Sequence, residues 1–137
     1  MPSMTQPPSP QTVTVLVVDD SKLARAVAVR LLRQLKPDWA VREAANAEEA
    51  AAIAAAEPVG VALLDFNMPG KDGLALAAEL RAQNPGMPIA VISANIQDEV
   101  IARARSVDAT FMPKPLTGEA LAGFLSGASL RLRRGAP

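Results

Sequence analysis

Short runs of apolar residues alternate along the chain with longer stretches in which apolar positions recur every three or four residues. The run Val13–Val18 is almost uniformly apolar and largely β-branched, which is typical of a strand buried on both faces. The stretch after it has helical periodicity, and the same alternation continues to about residue 125. The predicted strands are 13–18, 39–44, 59–64, 89–92 and 110–112, and the predicted helices are 22–35, 47–56, 74–83, 96–105 and 117–125.

The first helix has the most regular pattern of apolar residues. Leu23, Val27, Leu31 and Leu35 lie four positions apart, and we expect them to form its buried face. Pro37 follows directly and ends the helix, because proline lacks the backbone N–H that the next turn would need.

Five strands that alternate with five helices predict an α/β fold, a parallel sheet with helices on both faces. The first, third and fourth strands are the most apolar and should be central, whereas the more alternating second strand should lie at an edge. This ranking fits a flavodoxin-like (βα)5 doubly wound sheet with strand order 2-1-3-4-5. In such a sheet the functional crevice lies outside the carboxyl ends of the central strands.

Composition divides the chain into three parts. Residues 1–11 are rich in Pro, Ser and Gln, which predicts a disordered lead-in. Residues 12–126 hold all the predicted elements and are sufficient for one domain with its own core. Residues 127–137 are expected to be a solvated C-terminal tail, although several arginines gather there.

The overall composition excludes several functional classes. Lys plus Arg and Asp plus Glu number 14 each, so net charge indicates neither nucleic acid nor a membrane as a partner. No apolar run reaches the roughly 18 residues that span a bilayer, and the N-terminus lacks the pattern of a signal peptide, so we expect a cytoplasmic protein. The absence of cysteine excludes disulfides and thiolate metal sites, and the absence of histidine excludes a phosphohistidine in this chain.

Polar residues follow four of the predicted strands at the point where each ends. Asp19 and Asp20 follow the first strand, Asp65 the third, Ser93 the fourth, and Lys114 comes shortly after the fifth. Strands often end in polar residues where they reach water, but the fold would bring all five of these side chains to one rim. Carboxylates that cluster there would raise one another's pKa values unless a cation neutralised them.

A divalent cation would balance the charges at this rim. Asp19, Asp20 and Asp65 carry three negative charges, and Mg²⁺ with Lys114 would carry three positive ones. Carboxylate and carbonyl oxygens with retained waters match the coordination of Mg²⁺. A phosphoryl group on Asp65 could then be held by the metal, by Lys114 and by the hydroxyl of Ser93. The pattern therefore indicates phosphoryl transfer to a carboxylate.

Four segments make the chain similar to a known family. They are VTVLVVDDSKLAR, VALLDFNMPGKDG, PIAVISAN and FMPKPL, and they resemble the signature segments of the receiver domain of two-component response regulators. The resemblance runs from about Val13 to Leu125. Chemotaxis receivers are standard examples of strand order 2-1-3-4-5, so the resemblance and the predicted order support the same fold without being independent.

The resemblance implies a role for each residue at the rim. Asp65 would be the phosphoacceptor, supplied by a sensor histidine kinase or a histidine phosphotransfer protein. Asp20 would bind Mg²⁺ directly, Asp19 mainly through water, and Asn67 through its backbone carbonyl. Lys114 would contact the phosphoryl group.

The resemblance also implies a switch. Ser93 and Phe111 would change position on phosphorylation and remodel the face formed by the fourth helix, the fifth strand and the fifth helix, where an unknown downstream protein would bind. The Lys114–Pro115 peptide bond is expected to be cis.

The chain departs from the family at Val107-Asp108, where Gly-Ala is usual. Because a β-branched residue resists the left-handed conformation, we expect a differently shaped turn there.

The sequence leaves two other functions open, and it allows either a receiver that acts alone or a receiver that is part of a longer protein. A phosphatase of the haloacid dehalogenase type would need an Asp where the chain has Asn67, and a binding module with this fold but no phosphorylation would usually have lost an acid or Lys114. We expect a signalling domain rather than a turnover enzyme, monomeric or weakly dimeric. A receiver that acts alone is favoured over a piece of a longer protein, and its output would then be partner binding, without direct contact to nucleic acid.

Overall fold

The chain forms one parallel sheet with helices on both faces. The computed structural model describes residues 13–68 and 70–135, with side chains up to residue 132, so the lead-in predicted for residues 1–11 lies outside the described residues. The strands are β1 (Thr14–Val18), β2 (Ala40–Ala44), β3 (Val61–Asp65), β4 (Ile89–Ser93) and β5 (Thr110–Pro113); the helices are α1 (Lys22–Leu35), α2 (Ala47–Ala56), α3 (Gly73–Gln83), α4 (Asp98–Ser106) and α5 (Gly118–Gly135).

The strand order is β2-β1-β3-β4-β5, and every neighbouring pair is parallel, which confirms the predicted fold. All residues of β3 and β4 are buried, as expected for strands covered by helices on both faces. The core has two layers, one on each face of the sheet, built almost entirely from Val, Leu, Ile, Ala and Met. None of the described helices is both long and apolar enough to span a bilayer.

The buried face of α1 differs from the prediction. The helix buries Ala28, Val29 and Leu32, whereas Leu23 is 76 % exposed and Val27 43 % exposed. Leu35 is also exposed, at 36 %, and Leu31 is partly buried against the core. The apolar repeat identified the helix correctly but gave the wrong buried face at three of its four positions.

The last helix is longer than predicted. It continues to Gly135, so most of the solvated tail expected for residues 127–137 is helical. Gly123 and Gly127 both lie inside this helix, where each glycine costs about 1 kcal/mol relative to alanine. Ala128, however, is only 3 % exposed and belongs to the core, and its burial supports continuation of the helix past both glycines.

In the turn between α4 and β5, Val107 avoids the left-handed conformation, as expected. Val107 has an ordinary negative φ of −106°, and Asp108 takes the left-handed conformation with φ of 56°. The N–H of Ala109 donates to the carbonyl of Ala104, and that of Asp108 to the carbonyl of Arg105, both at 2.9 Å. This pair of bonds is the Schellman arrangement that usually ends in glycine, and aspartate tolerates its left-handed position.

Two arginines hold this turn in place. The guanidinium of Arg81 on α3 donates to the carbonyls of Val107 at 3.2 Å, Asp108 at 2.8 Å and Met87 at 2.6 Å. Arg131 in the extended part of α5 pairs with the Asp108 carboxylate at 2.9 Å. Side-chain donors from two helices therefore stabilise a turn that lacks the usual glycine.

Candidate functional site

The carboxyl ends of β1 and β3 bring three carboxylates together. Carboxylate oxygens of Asp19, Asp20 and Asp65 all lie within 4.8 Å of one another. Asp19 and Asp65 are buried, at 8 % and 3 % exposure, whereas Asp20 faces solvent. The parallel register places them at one rim, because β1 and β3 are hydrogen-bonded neighbours that end at the same level.

Lys114 supplies the positive charge nearest to these acids. Its Nζ lies 2.8 Å from Oδ1 of Asp65 and 3.8 Å from Oδ2 of Asp19. The backbone N–H of Lys114 donates to the carbonyl of Ser93 at 2.9 Å, which fixes the residue at the end of β5. The Lys114–Pro115 bond is cis, as predicted. The structure thus brings Asp19, Asp20, Asp65 and Lys114 into one cluster.

The surroundings in this cluster raise the pKa values of Asp19 and Lys114. Burial raises the pKa of the Asp19 carboxyl above 3.8, and the charges of Asp65 and Asp20 raise it further, against a hydrogen bond from the Ser21 N–H. Burial alone would lower the pKa of Lys114. The contact with Asp65 and the charges of all three acids outweigh that effect and raise it above 10.5. The Lys114 ammonium thus stays charged and offsets part of the effect that burial and the neighbouring acids have on the pKa of Asp19.

The backbone around Asp65 allows no extra atom at Gly73. A Cβ built on Gly73 would lie 2.2 Å from the carbonyl oxygen of Asp65, far inside contact distance. The N–H of Gly73 donates to the carbonyl of Phe66 at 3.0 Å, and Asp72 caps α3 by accepting from the N–H of Ala75 at 2.8 Å. Helix α3 thus begins directly against the peptide that carries Asp65, and only glycine permits this approach.

The remaining predicted site residues lie around the cluster. Ser93 is 1 % exposed at the end of β4, and its Oγ accepts a hydrogen bond from the N–H of Asn95 at 3.0 Å. Phe111 is half-buried on β5 and packs against the core. Asn67 is exposed in the loop after Asp65. The roles assigned to these three residues stay predictions, because each depends on a phosphorylated or metal-bound state.

Sequence reasoning missed one contact in this region. Arg25 on α1 donates from Nη1 to the backbone carbonyl of Asp19 at 2.7 Å and from Nε to Oε1 of Glu43 at 3.1 Å. Its spacing of six residues after Asp19 places it one turn into the helix. No pattern in the sequence indicates that the side chain turns back to the loop rather than outward.

Comparison with known proteins identifies the family. A family model described as "Response regulator receiver domain" matches residues 15–125, most of the chain. This chain is a response regulator receiver domain. The Positive alginate biosynthesis regulatory protein of Pseudomonas aeruginosa is 40 % identical over 120 residues, which cover 85 % of this chain and 47 % of that protein. The receiver thus spans about half the length of this relative.

Solved structures agree with this assignment. The chemotaxis protein CheY4 of Vibrio cholerae is 28 % identical to the receiver with a TM-score of 0.77, covering 85 % of this chain and 98 % of that one. A probable two-component system response regulator with a GGDEF domain is 32 % identical with a TM-score of 0.81, covering 90 % of this chain and 51 % of that one. The matched fold is therefore found in receivers both alone and joined to a second domain.

Receiver domains generally bind Mg²⁺, and the residues of this receiver fit the ion. Asp19, Asp20 and Asp65 offer the oxygen ligands that Mg²⁺ prefers. Oδ1 of Asp65 is buried, and within residues 13–68 and 70–132 it has the Lys114 ammonium close by but no well-aligned hydrogen-bond donor. The exposed Asp20 leaves one side of the cluster open to the waters that Mg²⁺ retains.

Proposed function

We propose that the receiver accepts a phosphoryl group on Asp65 from a phosphohistidine of a sensor kinase or phosphotransfer protein, in a reaction that requires Mg²⁺. The observation that carries this proposal is the placement of the Lys114 ammonium 2.8 Å from the buried Asp65 carboxylate, beside two further acids. A carboxylate oxygen of Asp65 attacks the phosphorus and the P–N bond breaks. The imidazole nitrogen keeps the electron pair and takes up a proton.

Each residue of the cluster has a part in this reaction. Asp19, Asp20 and Asp65 would hold Mg²⁺ together with the backbone carbonyl of Asn67, and the bound ion supplies positive charge at the phosphoryl oxygens. The Lys114 ammonium neutralises another of these oxygens as charge spreads over them. Ser93 donates its hydroxyl to the phosphoryl group once Asp65 is modified.

Phosphorylation would then be signalled through a surface. We assign Ser93 and Phe111 to a switch that alters the face formed by α4, β5 and α5, where a downstream protein binds the modified, monomeric or weakly dimeric domain.

The receiver is a signalling domain rather than a turnover enzyme. Because its donor takes phosphate from ATP, it would work in the cytoplasm. Action as a single domain stays a prediction, since the receiver spans only 47 % of its alginate-regulator relative.

The exposed apolar stripe on α1 is the proposed contact for the donor protein. Leu23, 76 % exposed, lies three residues after Asp20, and Val27 is one turn further. We expect Leu23→Asp to slow phosphorylation by at least about tenfold with the sensor kinase that labels the wild type fastest, because a charge would enter an apolar contact. Labelling by acetyl phosphate should be unchanged. Leu130→Asp, at an exposed leucine of α5, is the matched control; equal loss in both variants would argue against a contact at α1.

Labelling with acetyl phosphate tests the proposed function itself. The wild type should gain one phosphoryl group in the presence of Mg²⁺ and none in the presence of EDTA, as measured by intact-protein mass spectrometry. Asp65→Asn should gain none. A wild type that stays unlabelled with Mg²⁺ would instead indicate a binding module with this fold, and rapid turnover of many phosphate esters would indicate a phosphatase.

A further inference from the structure

Arg25 connects helix α1 to the loop that carries two of the three acids. Its side chain is 15 % exposed, and its guanidinium donates hydrogen bonds to two acceptors. Nη1 donates to the carbonyl of Asp19 at 2.7 Å, the shorter bond, and Nε donates to Oε1 of Glu43 at 3.1 Å. Arginine can make both bonds at once because its donors form a rigid planar fork.

Three polar groups of Asp19 make hydrogen bonds. The N–H of Asp19 donates to the carbonyl of Ala44 at 3.1 Å, and its Oδ1 accepts from the N–H of Ser21 at 2.9 Å. The third group is the Asp19 carbonyl, which accepts from Arg25. This carbonyl belongs to the peptide that joins Asp19 to Asp20, so its orientation sets the direction in which the exposed Asp20 leaves the backbone.

Glu43 makes this arrangement compatible with a cation. A guanidinium near the acids would by itself oppose binding of a divalent ion, since both carry positive charge. The carboxylate of Glu43 on β2 pairs with Arg25 at 3.1 Å and offsets part of that charge. Arg25 can thus act through hydrogen-bond geometry while its charge is partly offset.

We propose that Arg25, oriented by Glu43, is a positioning residue for the Mg²⁺ site: it fixes the Asp19–Asp20 peptide so that both carboxylates face the ion before it binds. The proposal rests on the proposed function, because it assumes that the acids bind Mg²⁺. Groups that orient metal ligands without touching the metal commonly change metal affinity by about 10- to 100-fold when they are removed.

Mg²⁺ titration by calorimetry of the full chain tests this proposal. Arg25→Ala should raise the Mg²⁺ dissociation constant about tenfold, and Arg25→Lys, which keeps one donor, about threefold. In metal-free protein the N–H of Ser21 should exchange with solvent faster in Arg25→Ala, as measured by NMR. Arg30→Ala removes an exposed arginine from the same helix and should leave both quantities unchanged.

Glu43→Ala keeps the test decisive if Arg25→Ala fails to fold, because Glu43 is a half-exposed surface residue. This variant should raise the dissociation constant about threefold, and adding it to Arg25→Ala should change nothing further, since Glu43 acts through Arg25. Wild-type affinity in Arg25→Ala or Arg25→Lys, or a full additional loss in the double variant, would overturn the proposal. A wild type that binds no Mg²⁺ would instead refute the metal part of the proposed function.

Discussion

Lys114→Ala is expected to accept a phosphoryl group from acetyl phosphate at least about 100-fold more slowly than the wild type. The ammonium of Lys114 lies 2.8 Å from Oδ1 of Asp65, the proposed phosphoacceptor. Without this ammonium, one cation fewer neutralises the negative charge that spreads over the phosphoryl oxygens in a largely buried site. The rate of labelling, followed by mass spectrometry at saturating Mg²⁺, measures this loss.

The same variant should bind Mg²⁺ at least as tightly as the wild type. Lys114 would compete with the ion for Asp65 and Asp19. Among residues 13–68 and 70–132, no other side-chain cation forms an ion pair with the three carboxylates. Calorimetric titration distinguishes the two effects, and Lys22→Ala at an exposed lysine of α1 is the control. Weaker Mg²⁺ binding with a normal labelling rate would mean that Lys114 organises the acids and does not act on the phosphoryl group.

Asp19→Asn is expected to stabilise the metal-free receiver at neutral pH while weakening Mg²⁺ binding about tenfold or more. The pKa of Asp19 is raised above 3.8, first by burial and then by the charge of Asp65, so its ionised form is unfavourable in the folded protein. The amide can still accept the hydrogen bond from Ser21. The gain should reach up to about 1 kcal/mol in the free energy of unfolding, because solvent screens part of the repulsion.

The sign of the pH dependence follows from the raised pKa. A carboxyl whose pKa is higher in the folded state contributes stability that is fully present below 3.8 and is lost as pH rises through the folded value. Urea unfolding in EDTA should therefore show the advantage of Asp19→Asn at neutral pH and its disappearance near pH 3.8. Asp38→Asn, at an exposed acid, should change little. An Asp19→Asn variant less stable than the wild type at neutral pH would contradict the proposed repulsion.

Most of the fold follows from the sequence because the strands are short, apolar and separated by helical periodicity. In such a sheet the functional crevice lies at the carboxyl ends of the strands, and this rule places four polar residues at one rim without any side-chain geometry: Asp19, Asp65, Ser93 and Lys114. The errors arise where tertiary packing overrides a local signal. Helix α5 continues past Gly127 because Ala128 is buried, a contact that periodicity alone does not reveal.

Two other features required the three-dimensional structure. The sequence indicates that Val107 resists the left-handed conformation, but only the structure shows that Asp108 takes it instead. Arg25 was missed since an arginine on a helix usually points to solvent, and its contact with the Asp19 carbonyl depends on the path of the loop. The acids of the site could thus be predicted, whereas the residue that orients their backbone could not.

The most direct test of the central claim is chemical identification of the modified residue. Wild-type receiver labelled with acetyl phosphate and Mg²⁺ is treated with borohydride, which reduces an aspartyl phosphate to homoserine, and its peptides are mapped by mass spectrometry. We expect homoserine at position 65 in the wild type and none in Asp65→Asn. Homoserine at Asp19 or Asp20 instead, or equal labelling of Asp65→Asn, would contradict the assignment of Asp65 as the phosphoacceptor.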